Sequence, residues 1–218
     1  MTQNNMLSGV DPEITERLVA NRREFFRSSA LRLGALASAP MVLAVASHEA
    51  FGQDLPQGIV DVLVYALTLE HIEDAFYRSG LETAGLIPEH YVGIFNQIGK
   101  HEAAHVALLS SVLGSAAIER PALDLTAGGQ YADALSNFDT YLTLSQTFED
   151  LGVAAYKGQA ANLIENDDLL TAALQIHSVE ARHAAIVRRI GGKPAWDGAY
   201  DEPMSKEEVL AAAQPFLA

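Results

Sequence analysis

Two short stretches constrain this chain more than any other feature. "HEAAHVALL" and "SVEARHAAI" each set a glutamate three residues before a histidine, in line with apolar residues. Around the first, Tyr91, Ile94, Phe95, Ile98, Leu109 and Val112 recur at three- and four-residue steps, as on the buried stripe of a bundle helix. Continued inward, that stripe runs through Glu102 and His105. Around the second, Leu169, Ile176, Val187 and Ile190 mark a stripe that passes through Glu180 and His183. The sequence has no third Glu-x-x-His spacing. One such pair is most simply a histidine resting on a glutamate one turn away. Two of them on two apolar stripes call for a common partner, because a carboxylate taken out of water without counter-charge is very costly.

Four long apolar-periodic segments organise the chain. The first runs from about Pro56 to Ala84, with Pro56 suiting a first turn and Gly85 a stop. The second runs from about Pro88 to Gly114, and the third from about Asp133 to Leu163. The fourth starts near Asp167 and Asp168, whose charges favour a helix start. It ends at Arg188 and Arg189, which favour the opposite end, before Gly191 and Gly192. Between the second and third, "AAIERPALDLTAGGQ" carries Pro121, Gly128 and Gly129 as breakers. No alternating strand pattern of useful length occurs. The chain is therefore expected to be all-α. Short links within the first and last pairs imply antiparallel hairpins, and the longer middle link predicts a crossover from end to end of the bundle. A short helix is expected from about Ser205 to Ala213. Trp196, Phe216 and Leu217 are expected to pack back on the bundle or to cover a partner subunit.

The odd helices answer the even ones. The first reads "LEHIEDAFY" and the third "FEDLGVAAY", so Glu70 is followed seven residues on by Tyr77, and Glu149 by Tyr156. Seven residues return a helix to the same face. The step from the single glutamate to the glutamate of the following pair is nearly the same in both halves, 70 to 102 and 149 to 180. The chain reads as one helical hairpin used twice.

This pattern resembles the ferritin-like di-metal carboxylate proteins, whose four-helix bundles place a Glu from each of two helices beside a Glu-x-x-His from each of the other two. The resemblance covers roughly residues 56–191 and implies an antiparallel ferritin-like bundle. It also implies that Glu70 and Glu149 are terminal or bridging ligands, that Glu102 and Glu180 bridge two metals, and that His105 and His183 each hold one. Within that superfamily, the leader, bundle and tail look like the group that includes plant desiccation-related proteins and their bacterial relatives. The same bundle serves storage, peroxide removal, oxygenation and radical generation, so activity does not follow from fold. The reading adopted is a di-iron or di-manganese oxidoreductase acting on O2 or H2O2. The alternatives are a metal store or buffer, and a structural desiccation protectant with a metal-stabilised bundle.

The chemistry of the residues supports the metal independently. Two divalent cations would balance four buried carboxylates, and carboxylate with imidazole suits iron or manganese. The chain has no cysteine, so neither a thiolate zinc site nor a disulfide framework is available. Glu73, three residues after Glu70, has Gly152 as its counterpart in the other half. It reads either as a seventh ligand or, more plainly, as a solvated carboxylate at the stripe's edge. Tyr77 and Tyr156 read equally as hydrogen-bond donors behind the ligands or as core aromatics. Asp74 and Asp150 are positional candidates for the acceptors behind the histidines. His71, His101 and His177 are taken as non-ligands, and His48 and His90 as exposed.

The beginning of the chain is different in kind. "NRREFFRSSALRLGALASAPMVLAVASHEAFGQ" has the pair Arg22 and Arg23 before Phe25 and Phe26, then a weakly apolar run from Leu33 to Ala46. That run is too short for an ordinary membrane-spanning helix. It resembles a twin-arginine export signal. The expected organisation is thus a signal at 1–52, a bundle at 53–191 and a tail at 192–218, in a periplasmic or secreted protein. The leader carries equal numbers of acidic and basic residues, so the remainder keeps the full formal charge of −14. Nothing in it resembles a basic nucleic-acid patch. The expected partners are a small oxidant and, as an admissible assembly, a second copy of the chain. Neither nucleic acid nor, after signal removal, a membrane is expected.

Overall fold

The computed structural model describes residues 55–218. The expected leader, with Arg22 and Arg23, lies outside the described residues. Helix α1 spans Gln57–Glu82, α2 Glu89–Leu113, α3 Phe138–Gln159, α4 Asp167–Ile190 and α5 Lys206–Ala213. Single 3-10 turns follow α2, α3 and α5. Among the described residues there is no strand, and no helix is long and apolar enough to cross a membrane.

The ends of the helices follow from local chemistry. Pro56 and Pro88 sit at the N-caps of α1 and α2, where the missing N–H leaves no helical bond unmade. Asn166 caps α4 by accepting from the Leu169 amide at 3.0 Å, with Asp167 and Asp168 in the first turn and Arg188 and Arg189 in the last. Ser205 and Glu208 form a reciprocal capping box at the start of α5.

Helix α3 starts five residues later than the sequence reading placed it. Asn137, not Asp133, is its cap and accepts from the Asp139 amide at 3.0 Å. The Asp133 carboxylate instead accepts from the Asn137 side chain at 2.9 Å and from the Thr140 hydroxyl at 3.1 Å, closing the turn that leads into the helix. Asp is a good cap wherever it stands, and here two caps competed.

Helix α1 packs chiefly on α2 and α3 on α4, giving the two expected hairpins. Across the bundle, Tyr77 of α1 reaches Glu149 of α3, and Tyr156 of α3 reaches Glu70 of α1, so these two helices run antiparallel. Helices α2 and α3 are therefore parallel. Phe138, at the start of α3, packs on Tyr91 and Phe95 near the start of α2. The chain leaving α2 must accordingly return along the whole bundle, a distance of about 37 Å for 25 residues at 1.5 Å each. The expected crossover is thus present. Midway along it the Asp124 carboxylate gathers the Thr126 and Gly128 amides and the Thr126 hydroxyl, at 2.6 to 2.9 Å. Ala127, Gly128 and Gly129 then follow with positive φ.

The tail packs back in part. Phe216 is buried among Phe148 and Tyr131, and the Phe216 carbonyl and Ala218 amide bond to the crossover at Asp124 and Ala122. Trp196 does not pack back: it is 72% exposed, because the stretch around it forms bends rather than a helix that would turn it inward. Two apolar clusters result. One, around Phe76, Phe95, Tyr141 and Phe148, fills the end where α2 and α3 begin. The other, around Leu63, Leu67, Leu109 and Ile176, fills the opposite end. The polar side chains described next lie between them.

Candidate metal centre

All six residues singled out in sequence are buried, and Glu102, Glu149 and Glu180 are completely so. They meet from four helices: Glu70 from α1, Glu102 and His105 from α2, Glu149 from α3, Glu180 and His183 from α4. His105 Nδ1 lies 3.2 Å from Glu70 Oε2, 2.9 Å from Glu102 Oε2 and 3.1 Å from Glu180 Oε1. His183 Nδ1 lies 2.9 Å from Glu102 Oε1, 3.2 Å from Glu149 Oε2 and 3.9 Å from Glu180 Oε2. Two groups of four potential ligand atoms result, one with Glu70 and His105, the other with Glu149 and His183. Each group gathers its atoms within 4.8 Å of one another. Glu102 and Glu180 belong to both groups, and each turns one carboxylate oxygen toward each histidine.

The donor set fits cations better than it fits hydrogen bonds. One N–H cannot serve three carboxylate oxygens. Glu102 Oε1, Glu149 Oε2, both oxygens of Glu180 and His183 Nδ1 are buried without a hydrogen bond of acceptable geometry, although they stand at ion-pair distance. Buried polar atoms are rarely left so, and here their lone pairs converge on shared points. Without metal, protons must do the work of cations. Burial acts to lower the His183 pKa, but the Glu102 and Glu149 carboxylates beside it override that and push it up to about 10. His105 is raised further, against burial, by Glu70, Glu102 and Glu180. Burial and the neighbouring carboxylates hold Glu180 well above the usual range. Glu70 goes the other way, because His105 and the Tyr156 hydroxyl outweigh its burial. Divalent ions at the two groups would displace these protons.

The tyrosines answer the sequence question in both ways at once. Tyr77 and Tyr156 are buried, and each hydroxyl donates to the single glutamate of the other hairpin, Tyr77 to Glu149 Oε1 and Tyr156 to Glu70 Oε1. The seven-residue spacing placed both tyrosines on the right face, but a single helix could not reveal that the bonds cross between hairpins.

Three sequence expectations need correction. Glu73 is not solvated: it is 3% exposed, and a Cβ added at Gly152 would stand 3.4 Å from Glu73 Oε1 and 3.2 Å from Glu180 Oε2. Burial and the charges of Glu180 and Glu70 hold its carboxyl well above the usual range. Asp74 and Asp150 are not the acceptors behind the histidines. Asp74 takes both its bonds from Arg78, and Asp150 is held by Arg188 at 2.9 Å and Gln146 at 3.0 Å. Behind His183 stands His101, whose Nδ1 lies 2.8 Å from His183 Nε2. The sequence reading takes His101 as a non-ligand, and nothing in it points to this contact with His183. The one signal that could have found it is its adjacency to Glu102. His71 is accounted for by the Ile118 carbonyl, 3.4 Å away, and His90 is exposed.

No curated protein matches the chain. Residues 58–193 do match a family described as the ferritin-like domain, a span that holds α1, but for its first residue, to α4 and every residue of both groups. A helical hairpin used twice, a crossover between parallel α2 and α3, and two groups of buried carboxylate and imidazole thus coincide with that match, and the chain belongs to the ferritin-like domain family.

Proposed function

We propose that the chain holds two transition-metal ions, iron or manganese, and acts as an oxidoreductase on O2 or H2O2. The observation that carries this is the double group in which Glu102 and Glu180 each offer one oxygen to either side. Glu70 and His105 would complete one ion's ligands, and Glu149 and His183 the other's. Iron or manganese bound there would supply the electrons that dioxygen or peroxide chemistry requires. The protein's own contribution is position and enclosure. Tyr77 and Tyr156 each fix one outer glutamate by a hydroxyl, and the apolar clusters on either side keep bulk water out.

Small reactants suit such a site. Its ligand oxygens are buried, and the gap at Gly152 is bordered by a minor cavity lined by Leu69, Ile72, Glu73, Phe148 and Ala213. Only a molecule of a few atoms would reach the ions through it. Peroxide consumption by the iron- or manganese-loaded chain, measured beside Glu102→Ala, tests the assignment. Turnover lost in the variant supports it. Equal rates in both proteins, or a large mineral core in the loaded protein, would replace it with a storage role.

We also propose export by the twin-arginine route, on the strength of Arg22, Arg23 and the short apolar run after them. The absence of cysteine suits a chain that folds before leaving the cell. Replacing both arginines by lysine should hold the protein inside, as fractionation would show. Unchanged export would remove this part of the proposal.

A further inference from the structure

Two imidazoles stand in series behind one half of the centre. His183 Nδ1 faces Glu102 Oε1 and Glu149 Oε2, so that nitrogen carries either a proton or a metal ion. With a metal ion on Nδ1, the one hydrogen of the neutral ring is on Nε2, and its partner must accept. That partner is His101 Nδ1, at 2.8 Å, with the two rings edge to edge and nearly coplanar, 15° apart with centroids 5.1 Å apart. His101 is then the tautomer protonated on Nε2. There Gln97 Nε2 lies 2.6 Å away; the oxygen and nitrogen of a carboxamide occupy interchangeable positions, and the exchanged orientation puts the amide oxygen where it accepts from His101. With metal on His183 Nδ1, the series Gln97–His101–His183 leaves each neutral ring one protonation pattern. It climbs one turn of α2 and crosses once to α4.

The other half lacks the equivalent. The residue before Glu102 is His101, whereas the residue before Glu180 is Val179, which offers no acceptor. Given the two-ion reading above, we infer that His101 is a positioning residue that holds His183 in its ligating tautomer and orientation, and so strengthens the metal position at His183 but not the one at His105. An acceptor behind a ligating histidine raises the basicity of the ligand and fixes its ring, and losing one typically costs about 10–100-fold in metal affinity. A carboxylate is the stronger acceptor and a neutral imidazole the weaker, so the variants below rank by acceptor strength.

Cobalt(II) titration of the metal-stripped full chain, followed by its d–d absorption and by competition with a chelator, reads the two positions directly. Wild type should bind two ions. His101→Phe keeps a flat ring without an acceptor and should weaken one ion by about 10–100-fold while leaving the other in place. His101→Asn keeps an acceptor near the Nδ1 position and should restore most of the affinity, and His101→Asp should equal or exceed wild type. If the phenyl ring is not accommodated, His101→Leu replaces it in the series. With manganese(II) at one equivalent, the Phe variant should give the signal of isolated ions. Two ions bound by His101→Phe as tightly as by wild type would overturn the inference. So would equal weakening of both ions, or a His101→Asn variant as weak as His101→Phe. A wild-type chain that binds no cobalt at all would instead overturn the two-ion reading beneath it.

Discussion

The α1–α2 and α3–α4 hairpins set the same ligating groups at the same depth and differ in what stands around them. Each gives a glutamate, a Glu-x-x-His and a tyrosine that reaches across to the other hairpin. Behind this inner ring the likeness ends. The first hairpin has a buried Glu73 where the second has Gly152, and His101 where the second has Val179. The repeat therefore fixes the positions that must balance charge at the centre, and leaves free the positions that tune it. Both asymmetries are in the first hairpin, so the two groups share Glu102 and Glu180 without sharing surroundings.

The largest effects should come from the residues common to both halves. Glu102→Ala and Glu180→Ala each remove an oxygen from both groups, and elemental analysis should find both ions lost or nearly so. Glu70→Ala and Glu149→Ala each touch one group, and about one ion per chain should remain, as expected for a site with two separable positions. If all four variants lost metal alike, the division into two groups would be wrong.

Removing the metal should expose a pH dependence of definite sign. In the metal-free chain the folded pKa of His183 is about 10, above the ordinary 6.5. Its contribution to stability is therefore complete below about pH 6.5 and is lost as the pH rises toward 10. Glu73 and Glu180, also raised, act in the same direction. A fall in Tm on the order of 10 °C across that range is expected for a buried group of this shift. The metal-loaded chain should show much less, because ions occupy the places of the protons. A metal-free Tm that rises with pH would contradict the arrangement of charge described here.

Next in size are the crossed tyrosines. Tyr77→Phe and Tyr156→Phe each remove a hydroxyl from a buried carboxylate, and each should cost about 1.5–3 kcal/mol in denaturant unfolding. The comparison predicts nearly equal losses, and a loss confined to one variant would show that the twofold likeness does not extend to the tyrosines. The smallest effect is at Gly152. Replacing an interior helix glycine by alanine ordinarily stabilises by about 0.5–1 kcal/mol. Gly93→Ala, with open space around it, should show that gain. At Gly152 the added carbon meets Glu180 and Glu73, and the gain should be cancelled or reversed by about 1 kcal/mol.

The inner ring was legible in sequence because helical periodicity is local. Two Glu-x-x-His spacings on apolar stripes, and two glutamates with tyrosines two turns beyond, needed only the 3.6-residue repeat. Helices α1, α2 and α4 were legible for the same reason, with proline or aspartate at their starts and glycine after their ends. What lay beyond depended on contacts between helices. Asp74 and Asp150 were nominated by closeness in sequence, but arginines on neighbouring turns or helices take them first. The contact of His101 with His183 exists only where α2 meets α4, so a single helix does not reveal it. Glu73 looked like an edge residue because the tail that helps to bury that face, through Ala213, carries no sign of where it docks. The start of α3 was misplaced because Asp133 and Asn137 are both competent caps four residues apart.

The most direct test of the central claim is anomalous X-ray diffraction from crystals of the iron- or manganese-loaded chain. Two peaks are predicted within each bundle, one beside His105 Nδ1 and one beside His183 Nδ1, with Glu102 and Glu180 between them. A single peak, or none inside the bundle in protein that was offered either metal in excess, would contradict the account.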